Sequence, residues 1–214
     1  MGESAAETGA GTGVLVRRAT PEDVAPMARQ LARTFFDDPV LSHIFRSEGR
    51  RLPGLRRYFQ TQMRADLLPF GGCYTTDGHE GSALWAPAGK PTLTIAQGFV
   101  AMRPVLPFVV AHLATTMSLL NLIERIHPRE PHWYLASLGV EPKAQGKGIG
   151  SSLLQPVLDH CDREGLPAYL ESSKARNVPF YRRHGFEVTN ELDVPGGGPK
   201  FWTMWRPPQP PAIP

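Results

Sequence analysis

The run from Gln145 to Leu154, Q-G-K-G-I-G-S-S-L-L, follows the apolar stretch W-Y-L-A-S-L-G-V that ends at Val140. An apolar strand that leads into a glycine-dense turn and then a helix can hold an anion. Gly148 and Gly150 have no Cβ to block close approach of the backbone. The first N–H groups of the following helix lack intrahelical partners and sit at the positive end of its dipole. A phosphate or pyrophosphate is the natural occupant.

Spacing narrows the choice of ligand. Lys147 is followed by Gly148, so the hydroxyl that a magnesium–nucleotide loop needs is missing. A dinucleotide fingerprint can use Gly146 and Gly148 but meets Ser151 where its last glycine belongs, and no run of parallel-sheet units precedes it. Glu171 lies about where a ribose-binding acid would, which keeps that alternative open. A ligand-free turn is the third reading. The pattern that fits throughout is Gln-x-x-Gly-x-Gly, made by Gln145, Gly148 and Gly150.

A second motif follows at compatible spacing. L-P-A-Y-L-E-S reads as a strand, and N-V-P-F-Y-R-R-H-G-F reads as a short helix and its exit. The positions that stand out are Leu170, Glu171, Asn177, Tyr181, Gly185 and Phe186. In order and spacing the two motifs resemble the GCN5-related N-acetyltransferase (GNAT) superfamily. Inside it, R-E-P-H-W-Y-L-A-S-L-G-V, Q-G-K-G-I-G, L-E-S-S, R-N-V-P-F-Y and D-V-P are similar to the puromycin N-acetyltransferase group. That likeness covers roughly Pro128 to Arg206 and is weak over Leu41 to Arg129.

The resemblance implies an α/β fold with a mostly antiparallel, twisted sheet of about seven strands, flanked by helices and splayed at the cofactor strand. It implies acetyl-CoA as donor and direct attack by an amine. Leu138, Gly139 and Val140 would bond the pantetheine arm. Gln145, Gly146, Lys147, Gly148, Ile149, Gly150 and Ser151 would hold the pyrophosphate, with Asn177 nearby. An oxyanion-stabilising N–H is expected near Leu138, with a bulge at Gly139. Glu171 matches a position that carries the general base in some members, with Glu130 as runner-up. Tyr181 would protonate or hydrogen-bond the departing thiolate, as a phenol of reference pKa near 10 can.

The acceptor is expected to be a small-molecule amine, possibly an antibiotic such as puromycin. A peptide amine and a non-catalytic acetyl-CoA module are the alternatives. Phe35, Phe36, Trp85, Tyr134 and Trp202 could supply stacking surface, and Asp37 or Asp38 could orient an ammonium group.

These residues need a frame. Val14 to Arg18 reads as a strand. Thr20, Pro21 and Asp23 make a capped helix start that runs to about Phe36. Pro39 opens a short helix and Leu52 to Leu68 forms another. Strands are expected at Cys73–Thr76 and Ser82–Ala86, and helices broken by Pro104 and Pro107 over Leu93 to Ile126. After the cofactor strand and its helix (about Ser151 to Glu164) come a strand at Leu166–Ser172 and a helix at Val178–His184. Closing strands lie near Phe186–Val194 and Lys200–Trp205. One domain over 14–206 is expected, with a loose leader at 1–13 and a Pro-rich tail at 207–214.

Composition excludes several classes. The 23 Lys+Arg nearly balance 20 Asp+Glu without a basic block, so nucleic-acid binding has little support. Seven histidines show no metal-ligand spacing, and no metal is expected. Cys73 and Cys161 read as reduced, buried thiols of a cytoplasmic protein. The longest apolar run, Val105 to Ile123, is interrupted by Pro107, His112 and Asn121 and reads as a buried or substrate-facing helix rather than a membrane span.

Overall fold

The computed structural model describes residues 7–8, 14–89 and 103–210. Most of the expected leader, the last four residues of the tail and the stretch 93–102 of the predicted helices lie outside the described residues. One sheet carries the chain. Its strands are β1 (Glu7–Thr8), β2 (Leu15–Arg18), β3 (Cys73–Thr76), β4 (Gly81–Ala86), β5 (Trp133–Val140), β6 (Ala168–Ser172), β7 (Glu187–Asp193) and β8 (Lys200–Arg206). They lie in the order β1-β2-β3-β4-β5-β6-β8-β7, so seven strands are joined by a two-residue edge strand. Every neighbouring pair is antiparallel except β5 and β6. The mixed α/β architecture matches the expectation, and a doubly wound parallel sheet for a dinucleotide is overturned.

Helices cover both faces of the sheet. On one face lie α1 (Val24–Thr34) and α3 (Glu48–Gln62), with α2 (Pro39–Ile44), α4 (Leu106–Val109) and α5 (Leu113–Ile126) beyond them. On the other lie α6 (Ile149–Glu164) and α7 (Val178–Arg182). The start of α1 is fixed as its sequence suggests. Asp23 accepts from the Thr20 backbone N–H at 2.8 Å and holds Arg17 through two bonds of 2.7 and 2.9 Å. Val24, Met27, Ala28 and Leu31, at helical spacing, are buried against the sheet.

The sheet sorts side chains by alternation. Along β4, Ala83 and Trp85 face α6 while Leu84 and Ala86 face α1 and α3. Along β6, Ala168 and Leu170 face α6, which leaves Tyr169 and Glu171 on the opposite face. Strand β5 changes parity partway. Leu84 pairs with Ser137 and Trp85 with Leu135, so Ala136 is an extra residue on β5. Before it, Trp133 and Leu135 pack towards α6; after it, Leu138 and Val140 do. The bulge therefore lies at Ala136, not at Gly139.

Gly139 has a different reason to be glycine. A Cβ there would sit 3.0 Å from Leu31 Cδ2, 3.1 Å from Thr34 Cγ2 and 3.2 Å from Phe35 Cε2. Its carbonyl accepts from Gln30 Nε2 at 3.1 Å, so α1 lies directly on the strand. At the other end of the sheet, Arg206 grips Asp162 of α6 through bonds of 2.6 and 2.7 Å, and Gln209 N–H joins the same carboxylate at 2.7 Å. The beginning of the predicted loose tail is thereby tied to the domain.

Gly139→Val should overpack the α1–β5 contact and cost about 1–3 kcal/mol. A urea unfolding midpoint equal to that of the parent chain would show that α1 does not bear on this strand.

Candidate active site

The parallel pairing of β5 with β6 is short. It joins Trp133, Tyr134 and Leu135 to Ala168, Tyr169 and Leu170 and ends there, although β5 continues to Val140 and β6 to Ser172. Beyond Leu135 the β5 edge that faces β6 has no strand partner among the described residues. Strand β4 pairs with β5 from Tyr134 to Val140 and holds it in place while it diverges. The opening is a wedge with Ala136 to Val140 along one side and Glu171 to Ser173 along the other. An extended ligand arm can pair with the free strand edge there, where the resemblance placed Leu138, Gly139 and Val140.

At the wide end of the wedge stands the glycine loop. Gly146 and Gly148 both have left-handed backbone, with φ of 77° and 80°, a conformation that glycine adopts at little cost. Gly148 is the N-cap of α6, so the N–H groups of Ile149, Gly150 and Ser151 are first-turn groups of a 16-residue helix. Gln145 Nε2 donates back to the Val140 carbonyl at 3.0 Å and closes the loop onto its strand. A Cβ on Gly146 would meet nothing within 4 Å, and a Cβ on Gly150 would lie 3.2 Å from Phe180. Lys147 is exposed, while the Ile149 side chain is buried in the core below. Open space above a cradle of free N–H groups fits a pyrophosphate.

On the α1 and α3 side, the narrow end of the wedge opens into a cavity of about 950 Å³. Glu171, Tyr134, Asp38 and Ser173 line it together with Ala136 and Ser137 of the bulge. Its far wall is apolar and includes Ile44, Phe45, Val109, Met117 and Leu120. Much of the apolar run Val105 to Ile123 lines this cavity, while Val110 is exposed. Among the described residues no helix is long and apolar enough to cross a membrane, and no cluster suits a metal ion.

Glu171 is held in an uncommon state. Burial pushes its carboxyl up to about 7, against the nearby Tyr134 and Tyr169 hydroxyls, which favour the carboxylate. Among the described residues no lysine or arginine pairs with it. Its Oε1 is buried without a hydrogen-bond partner among the described residues, with His127 Nδ1 4.0 Å away. A carboxyl poised near neutrality at the inner end of a cavity suits a general base. Tyr134 is half-buried on the cavity wall, and burial followed by the Glu171 charge holds its proton on.

Tyr181 is buried in the core under α7, against Phe180 and Phe186, and is not on the cavity wall. Burial and then the negative charge of Asp38 raise its pKa, so it stays a proton donor at any working pH. Asp38 is itself buried. It caps α2 through the N–H groups of Val40 and Leu41, at 3.1 and 3.0 Å, and accepts from the Ser173 hydroxyl. Asn177 is the N-cap residue of α7, half-buried, and its side chain makes no capping bond.

Other expected acceptor residues are distributed differently. Phe35 lines the cavity and packs on Phe59, with ring centroids 5.4 Å apart. Phe36 lies under the Arg51 guanidinium instead. Trp85 is fully buried and points at α6 because alternation along β4 turns it from the cavity that Ala86 lines. Asp37 and Trp202 belong to a shallow surface pocket beside Lys174 and Lys200, where Trp202 Nε1 donates to Glu191 at 3.0 Å. Of the two aspartates, only Asp38 reaches the site.

Two residues were not anticipated. His127 and His132 line the cavity and stack between Tyr134, Tyr169 and Trp205. Their sequence signal is the string H-P-R-E-P-H just before β5, which brings both rings back to its first residues.

Comparison with known proteins agrees with this geometry. Residues 97–186 match the acetyltransferase (GNAT) family model. An uncharacterized N-acetyltransferase of Schizosaccharomyces pombe is 51% identical over 59 residues, which cover 27% of this chain and 24% of that protein. A mycothiol acetyltransferase of Streptomyces avermitilis is 36% identical over 73 residues, covering 33% of this chain and 23% of that protein. The chain therefore spans about a quarter of the length of these curated relatives. A Corynebacterium glutamicum structure described as histone acetyltransferase HPA2 and related acetyltransferase superposes with a TM-score of 0.69 at 23% identity, covering 92% of this chain and 98% of that one. The fold is that of the GNAT acetyltransferases, a family that uses acetyl-CoA as acetyl donor.

Glu171 also leaves a mark on stability. Between the ordinary carboxyl value of 4.5 and about 7, the folded chain keeps a proton that the unfolded chain has lost. This group therefore makes stability fall as pH rises through that window. His127, pushed down to about 4 by burial and then by His132, works in the opposite sense as pH rises between about 4 and 6.5. Comparison with a variant isolates the carboxyl. Relative to the parent chain, Glu171→Gln should gain stability from pH 5 to 7.5 in urea unfolding, and a constant difference would mean that Glu171 titrates normally.

Proposed function

We propose that this chain is an acetyl-CoA-dependent N-acetyltransferase that acts on the primary amine of a small molecule with a bulky apolar body. The observation that carries this reading is the shared wedge: the glycine cradle is at one end of it and the uncompensated Glu171 carboxyl at the other. Bound acetyl-CoA supplies an acetyl thioester. Gln145 to Ser151 hold its pyrophosphate, and the free edge of β5 from Ala136 to Val140 bonds the arm. Backbone N–H groups near the Ala136 bulge stabilise charge that develops on the carbonyl oxygen.

Glu171 takes the proton of the incoming ammonium, so that a neutral nitrogen attacks. Tyr181, kept protonated by burial and by Asp38, is the donor for the departing sulfur. The cavity supports the acceptor class. Glu124, Glu130, Asp38 and Glu171 against Arg129 favour a cation at the polar end, and the aliphatic wall takes a large apolar group. The motif likeness to the puromycin group makes an aminonucleoside of that kind, and hence antibiotic resistance, the first substrate to test. Polyamines and N-terminal peptides are the competing acceptors.

Acetyl-CoA should raise the melting temperature of the parent chain, and Gly148→Asp should abolish that shift by filling the left-handed position and repelling the pyrophosphate. No shift with the parent chain would remove the cofactor assignment.

With a thiol-release assay, kcat/KM for the amine should climb with pH through about 7 as the Glu171 carboxylate forms. Glu171→Gln should lose on the order of 10²-fold above that pH and progressively less below it. Tyr181→Phe should lower kcat by a similar factor with little change in acetyl-CoA binding. Saturable turnover of peptides with none of puromycin or any other apolar amine would replace the small-molecule reading.

A further inference from the structure

Two histidines outside the expected site form a chain of contacts that ends at the proposed base. His132 Nδ1 lies 2.7 Å from the Glu130 backbone carbonyl. A carbonyl only accepts, so that nitrogen carries the hydrogen. His132 Nε2 lies 3.1 Å from His127 Nε2. Burial lowers the pKa of both rings, and both are therefore neutral in a working enzyme. A neutral His132 with its hydrogen on Nδ1 has a bare Nε2, so the hydrogen in the contact between the rings must belong to His127 Nε2. That leaves the other nitrogen of His127, Nδ1, bare. It is this nitrogen that faces Glu171 Oε1 at 4.0 Å.

We infer that His127, its tautomer fixed by His132 and the Glu130 carbonyl, is a positioning residue that sets Glu171 to take up a proton by offering an acceptor to the protonated carboxyl alone. The inference rests on the reading of Glu171 as the base. The ionised Oε1 makes no hydrogen bond among the described residues and meets a lone pair. Once the ammonium proton has moved to Oε1, its electron pair stays on the amine nitrogen. The new O–H can then donate to His127 Nδ1 after a side-chain movement of about 1 Å. A hydrogen bond made only by the neutral form raises the affinity of the carboxyl for the proton.

The other groups around Glu171 cannot do this. Tyr134 of β5 and Tyr169 of β6 favour the ionised form. Tyr58 of α3, Glu124 of α5 and Glu130 share the cavity, and Glu171 Oε1 bonds none of them. The rings are held for the task. His127 packs edge-on to Tyr134 and Tyr169 with centroids 5.1 and 5.2 Å away, and His132 lies 5.6 Å from Trp205.

His132→Phe tests the lock while keeping an aromatic ring in the stack. With the lock removed, His127 can turn to the Nδ1–H tautomer and donate to the carboxylate, which weakens the base. The rising limb of kcat/KM against pH should move down by about one unit, and the plateau should fall with it. A purely structural role for His132 would leave the limb in place. Nitrogen NMR of the parent chain should show His127 protonated on Nε2, and in His132→Phe on Nδ1. Carbon NMR of labelled glutamate, with the Glu171 resonance assigned by its loss in Glu171→Gln, should show the same downward move without any turnover. The inference is overturned if parent His127 carries its hydrogen on Nδ1, or if the Glu171 titration is unchanged in His132→Phe. Because the NMR readings need no substrate, they stand even if no amine is acetylated, and so separate this inference from the proposed activity.

Discussion

The separation of β5 from β6 after Leu135 and Leu170 is the constraint on which the site depends. An unpaired strand edge inside a domain is costly, since each buried backbone group without a partner loses on the order of 1–3 kcal/mol. The sheet closes over such an edge unless other contacts hold it open. Here β4 stays paired with β5 along its length, and α1 clamps it at Gly139 by side-chain packing and the Gln30 bond. The extra residue at Ala136 then switches the faces of the strand. Tyr134 keeps to the cavity, while Leu138 and Val140 return to the core above α6. Alternation lets the strand serve two compartments, and the added residue puts Ala136 and Ser137 side by side on the cavity wall.

Three enclosed carboxylates among the described residues respond to burial in different ways. Asp23 and Asp162 are each gripped by an arginine through two bonds, and both have lowered pKa values. They fasten α1 to β2 and α6 to β8. Glu171 is about as enclosed, with 12% of its side chain exposed against 7% for Asp23 and 21% for Asp162, yet it faces two phenols and a bare imidazole nitrogen in place of a guanidinium, and its pKa is raised. The same physics of burial applies to all three, and the partner decides the outcome. Asp23 and Asp162 have an arginine and Asp38 has two backbone N–H donors and a hydroxyl, whereas Glu171 has no cation paired with it among the described residues and so is ready to exchange a proton.

Much of this frame could be read directly from residue patterns. The strands at Cys73, Ser82, Trp133 and Lys200, the capped start at Thr20 and the left-handed glycines before α6 follow from local chemistry with a short range. Simple alternation along β6 already places Glu171 beside Tyr169 on one face. What escaped depends on contacts between distant segments. The bulge occupies Ala136, whose type carries no bulge signal, while nearby Gly139 does but serves helix packing instead. Trp85 looks like a ligand contact until the alternation of β4 is anchored by its neighbours. The two histidines meet only because the chain turns back between α5 and β5.

The same division explains why the donor half of the site resembles a family while the acceptor half does not. A phosphate cradle of the proposed kind requires particular backbone angles, which glycine meets at least cost at Gly146 and Gly148. The splay likewise requires a fixed register between β4, β5 and β6. These demands act on single residues and leave a readable pattern. The acceptor wall asks for less: Ile44, Phe45, Val109, Met117 and Leu120 need only supply apolar volume from three helices and the exit of α2. Many side-chain combinations fill such a space equally well. On the proposed reading, amine selectivity is therefore set by the shape of a wall that no motif specifies, and the chemistry by a few polar groups whose positions the backbone dictates.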